Sequence, residues 1–307
     1  MNGFFIITPL IAVVLLGMAI RHYGFFEEDE KDRLAKLLYW IALPALLFRT
    51  VYLSGGDLEQ HKNLFLASYA SFLVVPATAL LLSYLRTKDR SAYALSALCA
   101  IRSNNIYLGL PAASLALGEE GFAAALTFCA IGLPGYNLAS IAWGEAVMAG
   151  GLSLRSIGRT FKRIIKNPLI VACITGLSAA MLNVPIPRGT LEALKLIGDM
   201  ATGLALISIG MGLEFRDIPR AFRRMWLDII IKLVLHPAMV WAFFLIWPVP
   251  EIMIQACVIL AAMPSAVNCF ILAKGTGMGE EDARDLIAAT TVLTPIVFPI
   301  WIWLLGI

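Results

Sequence analysis

The chain has 307 residues, 60% hydrophobic and 15% charged, with a formal net charge of +3 and a mean hydropathy of +0.81. Soluble domains carry about 25% charged residues, so this composition belongs in lipid. Net charge says little for such a chain, because what matters is where the cations lie. No nucleic-acid role follows from it.

A secretory leader needs a basic start. No Lys or Arg precedes Arg21, so the first apolar segment is expected to be retained. About 20 apolar residues cross a bilayer. On that measure ten segments are predicted, near 3–20, 34–54, 63–85, 92–115, 121–147, 167–184, 191–213, 225–247, 252–274 and 284–306. Connections are short, and a single all-α membrane domain accounts for 1–307. Cys99, Cys129, Cys173, Cys257 and Cys269 fall in apolar runs without metal-type spacing. They read as buried inert thiols, and neither metal nor cofactor is expected.

Alternate connections, taken with the adjoining segment ends, carry 18 Lys and Arg, among them Arg86, Lys88, Arg90, Arg155, Arg159, Lys162, Arg163, Lys166, Arg216, Arg220, Arg223 and Arg224. The opposite side has 4: Arg49, Lys62, Arg188 and Lys195. Cytoplasmic loops are the basic ones, so both termini are expected to face outward from an inner membrane.

Short motifs recur in order along the chain. Thr8-Pro9-Leu10-Ile11 followed by Gly17 matches Asn167-Pro168-Leu169-Ile170 followed by Gly176, at an offset of 159. Gly118-Glu119-Glu120 matches Gly279-Glu280-Glu281, and Pro134 matches Pro295, both at 161. Repeats of about 1–150 and 165–307 follow. With five helices each, the second must enter from the opposite side, an inverted arrangement typical of secondary transporters.

Two segments are poor plain helices. Arg102-Ser103-Asn104-Asn105 through Gly109-Leu110-Pro111 interrupts the fourth, and Met263-Pro264-Ser265-Ala266-Val267-Asn268 interrupts the ninth. Asn104 and Pro264 each lie some 12 residues in, roughly 18 Å deep in a core of about 30 Å. Broken helix at that depth survives only against protein or a wet cavity. Pro264 and Pro111 are expected to leave carbonyls unpaired, while Asn104, Asn105, Ser103, Ser265 and Asn268 offer polar groups. Half-helix N-termini there would favour an anion.

Three further ionisable groups share a face of the eighth segment: Asp228, Lys232 and His236, spaced i, i+4, i+8. Asp228 and Lys232 are expected to pair; the alternative is that Lys232 or His236 takes up a proton during transport. Arg102 reads equally as an anion-binding cation or as the partner of a buried carboxylate. Asp199 and Lys195 are expected to form a local ion pair. His-Glu-x-x-His and paired intramembrane aspartates are absent from the sequence, so an intramembrane enzyme is not expected.

With Ala42-Leu43-Pro44-Ala45-Leu46-Leu47-Phe48, Asn104 with Gly109-Leu110-Pro111, Asn167-Pro168-Leu169-Ile170 and Met263-Pro264 through Phe270 in this order, the chain resembles the auxin efflux carrier family over essentially its whole length. That family includes plant auxin exporters and bacterial carriers of malonate or malate. The resemblance implies ten helices with the fourth and ninth crossing at the site. Helices 3–5 and 8–10 would move, in an elevator motion, against a dimerising scaffold of helices 1, 2, 6 and 7. It implies a small organic anion as substrate, with Asn104 and the crossover at Pro264 on its carboxylate, and leaves the coupling ion open between proton, sodium and none. Plant members have a proline where this chain has Ser103 and an acidic residue in the third segment, which this chain lacks between Asn63 and Tyr84. The alternative reading is a sodium-coupled symporter of the bile-acid type, whose fold is similar.

Overall fold

The computed structural model describes residues 3–25, 28–53, 61–149, 168–212, 218–266 and 268–307. The basic connection at 150–167, with Arg155, Arg159, Lys162, Arg163, Lys166 and Asn167, lies outside these, as do Arg216 and Val267. Among the described residues the protein is helical, and no strand forms. One antiparallel bridge pairs Ser103 with Ser265.

The first half runs α1 (Gly3–His22), α2 (Glu28–Leu37), a π turn (Leu38–Ala42), α3 (Leu43–Leu53), α4 (Lys62–Arg86), α5 (Arg90–Cys99), a second π turn (Asn105–Gly109) and α6 (Leu110–Ala149). The second half runs α7 (Pro168–Met181), α8 (Arg188–Gly212), α9 (Ile218–Ile230), a π turn (Ile231–Leu235), α10 (His236–Ile246), α11 (Glu251–Ala261), α12 (Asn268–Thr276) and α13 (Glu280–Leu304). Helix falls on each predicted segment. Four stretches are long and apolar enough to cross a bilayer by themselves: Lys62–Arg86, Asn105–Leu133, Pro219–Ile246 and Glu280–Leu304. Interruptions shorten others, such as Leu38–Leu53 and Glu251–Ala261.

Local chemistry sets several of these ends. Asp89, in an extended conformation, caps α5 by accepting from the Ser91 N–H at 2.9 Å. The two Gly-Glu-Glu motifs act alike. Gly118 (φ 69°) turns the chain inside α6, and Gly279 (φ 74°) starts α13. Both angles suit glycine, and the acids that follow sit at the positive end of the next helix.

α1 packs on α8, and α3 on α7. A Cβ at Gly17 would strike the Ile207 carbonyl, and one at Gly176 would strike the Phe48 carbonyl. A single shift of 159 residues converts the first contact into the second, since Gly17 becomes Gly176 and Phe48 becomes Ile207. Backbones this close need small residues at the contact.

At the centre, the second halves of α5 and α11 have no outward face. Every residue from Ala94 to Ser103, and from Ala256 to Met263, is at most 2% exposed. Helices buried all round need partners on every side, and these take them from α4, α6, α10 and α13. Thr290 of α13 accepts from the Ser265 N–H at 3.1 Å and donates to the Leu286 carbonyl at 2.7 Å.

Replacing Gly17 or Gly176 by Leu is expected to destabilise the protein by about 1–3 kcal/mol or more through overpacking. Gly189→Ala, at a glycine with open space around it, serves as the neutral comparison. Thr290→Val keeps the shape but orphans the buried Ser265 N–H, at a cost of about 1–3 kcal/mol, which Thr290→Ser largely avoids. Thermal unfolding midpoints of the purified variants check both expectations.

Candidate functional site

The two broken helices meet. Asn104 N–H donates to the Pro264 carbonyl at 2.8 Å, and Ala266 N–H donates to the Arg102 carbonyl at 2.8 Å. The breaks thus satisfy one another's backbone groups, as apolar surroundings require. The carbonyl that the missing N–H of Pro264 would leave open, that of Leu260, accepts instead from Met263 N–H at 3.3 Å, so the break leaves it paired, contrary to the expectation. Pro111 lies past the break rather than in it, near the start of α6. The π turn just before it, closed by Gly109 N–H to the Asn104 carbonyl at 3.0 Å, widens the helix where the proline ring would otherwise clash.

The crossing brings together most of the polar residues singled out in the sequence. Arg102, Ser103, Asn104, Asn105 and Ser265 are all buried, and Asn268 is exposed beside them. Two buried oxygens there, Asn105 Oδ1 and Ser265 Oγ, have no hydrogen-bond partner among the described residues. Four helix ends also converge. α5 and α11 bring their carbonyl ends, and the helices resuming at Asn105 and Asn268 bring their N–H ends, which favour negative charge.

Arg102 is 1% exposed. Its Nε donates to Asn268 Oδ1 at 3.3 Å, one terminal nitrogen to Ser140 Oγ at 2.7 Å and the other to Asn137 Oδ1 at 3.0 Å. The guanidinium lies 5.5 Å from the centre of the Tyr136 ring. Every one of these partners is neutral, so the buried-carboxylate reading of Arg102 is not met. Asn137 and Ser140 escaped the sequence reading. Their signal is an i, i+3 polar pair inside the fifth apolar segment.

Lys232 is fully buried and corrects a second expectation. It does not pair with Asp228. Its Nζ donates to Ser103 Oγ at 2.7 Å and to the Ala261 carbonyl at 2.8 Å, and lies 3.2 Å from His236 Nδ1. Asp228 faces Arg86 at 3.8 Å instead, and Arg86 also donates to the Arg224 carbonyl at 2.9 Å. Lys232 therefore has enough acceptors at the crossing, while α4 supplies the cation for Asp228. The Lys195–Asp199 pair does form, at 3.2 Å on the surface.

The result is two buried cations beside the crossing, with no carboxylate among the described residues within ion-pair distance of either. No cluster of metal-ligand type occurs among those residues. The arrangement can hold an anion.

Comparison with known proteins points to membrane transport. The family model described as "Membrane transport protein" matches residues 151–302. A "Putative malonate transporter" of Rhizobium meliloti is 26% identical over 298 residues, 94% of this chain and 91% of that protein. An "Uncharacterized transporter" of Methanothermobacter thermautotrophicus is 23% identical over 309 residues, 96% of each chain. "Auxin efflux carrier component 5" of Arabidopsis thaliana is 23% identical over 311 residues, 88% of this chain and 87% of that protein. These relatives are transporters rather than enzymes, and they match along nearly the whole chain. With the helical, apolar architecture, the matches support a membrane transporter similar to the auxin efflux carrier family.

Proposed function

We propose that the protein carries a small organic anion, a carboxylate of the malonate or malate kind or an auxin-like weak acid, bound where the two broken helices cross. The observation that carries this reading is Arg102, a buried guanidinium that donates to amide and hydroxyl oxygens and has no carboxylate among the described residues within ion-pair distance. A buried charge is costly unless paired, and a substrate carboxylate supplies the missing charge. The neutral oxygens of Asn137, Ser140 and Asn268 orient the fork in its absence. Asn104, Asn105, Ser103 and Ser265 line the same place, with Asn105 Oδ1 and Ser265 Oγ still able to accept a bond. The name of the Rhizobium meliloti relative points to the same substrate class.

In this reading the chain crosses the membrane ten times as two inverted repeats, 1–150 and 165–307, with both termini outside. The exchange of Gly17–Ile207 for Gly176–Phe48 under one shift supports the repeat. Transport is an elevator movement of helices 3–5 and 8–10 against a dimerising scaffold of helices 1, 2, 6 and 7. Its support is the distribution of polar contacts between segments. Arg49 to the Leu191 carbonyl and Tyr52 to the Val184 carbonyl stay within the scaffold set. Asn63 to Pro248, Tyr69 to Ile131, Ser91 to Gly277, Arg224 to Asp282 and Trp301 to Leu233 stay within the moving set.

Binding of malonate, malate and indole-type weak acids to the purified protein, followed by thermal shift, tests the site. Arg102→Gln is expected to weaken the best ligand roughly ten- to hundredfold, the equivalent of about 1.5–3 kcal/mol for a charged hydrogen bond. Asn104→Ala and Asn268→Ala are expected to lower affinity by smaller factors while the protein still folds. Unchanged uptake in all three variants would remove the site.

A further inference from the structure

The eighth predicted segment contributes a cation to the crossing that the anion site does not use. Lys232 sits in the π turn Ile231–Leu235 and is fully buried. An ammonium has three N–H donors and no acceptor. Three lone pairs surround Nζ: Ser103 Oγ at 2.7 Å, the Ala261 carbonyl at 2.8 Å and His236 Nδ1 at 3.2 Å. Ser103 donates its own hydrogen to the same Ala261 carbonyl at 3.2 Å, which leaves its lone pairs for the lysine. The tautomer with its proton on Nε2 lets His236 Nδ1 accept from the ammonium. The charge is satisfied without any carboxylate among the described residues.

Those acceptors are not a random set. Ala261 is the last residue of α11, so its carbonyl is one of the four that a helix end leaves open, at the negative end of the dipole. Broken helices in transporters use such unwound carbonyls and half-helix C-terminal ends to coordinate Na⁺. The carbonyl and hydroxyl oxygens among these acceptors are of the kind that coordinate a hard monovalent cation. Here the point is taken by a side chain.

We propose that the Lys232 ammonium is a tethered cation, occupying the place at the helix crossing where a coupling Na⁺ would otherwise bind. It joins Ser103 in the first break to Ala261 at the edge of the second, as a bound ion would. Because it is covalently held, it travels with the site and is never released, so the carrier works without sodium. This rests on the crossing being the transport site, but the cation site itself can be tested apart from any substrate.

The test is thermal unfolding of purified wild type, Lys232→Ala and Lys232→Met in sodium, choline and ethylammonium chlorides at equal ionic strength. Wild type is expected to unfold at the same temperature in sodium and choline. Lys232→Ala, with the ligands intact and the ammonium gone, is expected to lose about 4 °C or more and to regain at least half of the loss, saturably, with ethylammonium or sodium. Lys232→Met, whose stem fills the space without charge, is expected to be destabilised and to ignore all three salts. A saturable sodium response in wild type overturns the proposal. So does a Lys232→Ala protein that no cation restores, or a Lys232→Met protein as stable as wild type. The readout is unfolding rather than uptake, so a failure here is distinct from a failure of the carboxylate reading.

Discussion

Two backbone hydrogen bonds hold the crossing of the broken helices together: Asn104 N–H to the Pro264 carbonyl and Ala266 N–H to the Arg102 carbonyl, both 2.8 Å. An unpaired peptide group in an apolar interior costs several kcal/mol, so one helix cannot break at this depth alone. Two can, if each supplies what the other lacks. The Ser103–Ser265 bridge is the smallest piece of sheet that does this, and it obliges the fourth and ninth segments to cross. The rest of the architecture surrounds that crossing. The second halves of α5 and α11, which lead into it, are buried on every face, and Thr290 is placed to cap the one N–H that the bridge leaves at Ser265.

Breaking two helices at one point also sorts charge. Each break yields a carbonyl end and an N–H end, with opposite preferences. Lys232 lies against the carbonyl end at Ala261. Arg102 projects from the other side among Asn137, Ser140 and Asn268, near the N–H end at Asn268. One cation is saturated by the protein, whereas the other is only oriented by it. On the proposed reading, that difference separates a structural charge from a recognition charge.

Much of this was legible in the sequence, for a reason that lies in the solvent. In hydrocarbon a polar run inside an apolar segment cannot be idle, so Arg102–Asn105 and Pro264–Asn268 announced themselves. The repeat offset set them opposite one another. What the sequence did not reveal was partnership. Asp228 and Lys232 have ideal i, i+4 spacing, yet each found a better partner on another helix, Arg86 for one and Ser103 with Ala261 for the other. Spacing reports which groups share a face, but not what that face meets. Pro111 misled for a similar reason. A proline marks strain in the helix around it, and here a π turn just ahead of it absorbs that strain, so the break itself lies earlier. Asn137 and Ser140 were overlooked because a pair of small polar residues in a membrane helix usually serves only packing.

The two kinds of contact in the molecule bear on how it could move. Around Gly17, Gly176 and Gly210, backbone lies directly on backbone, so α1, α3, α7 and α8 cannot shift against one another without clashes. Around the crossing, directional polar bonds tie α4, α5, α6, α9, α11, α12 and α13 together, from Arg224–Asp282 at one end to Asn63–Pro248 at the other. Between the groups, the contacts that α6 makes with α1 and α3 are lined mainly by apolar side chains. Dispersion contacts are individually weak and not directional, and can be exchanged for similar ones along a sliding path. Hydrogen bonds at 2.7–2.8 Å, such as those of Lys232, cannot be broken in such a medium without a large cost. A movement that preserves these polar bonds and spends apolar contacts is the inexpensive one. On the proposed elevator reading, it is also the one that would carry Arg102 and whatever it holds across the membrane as a unit.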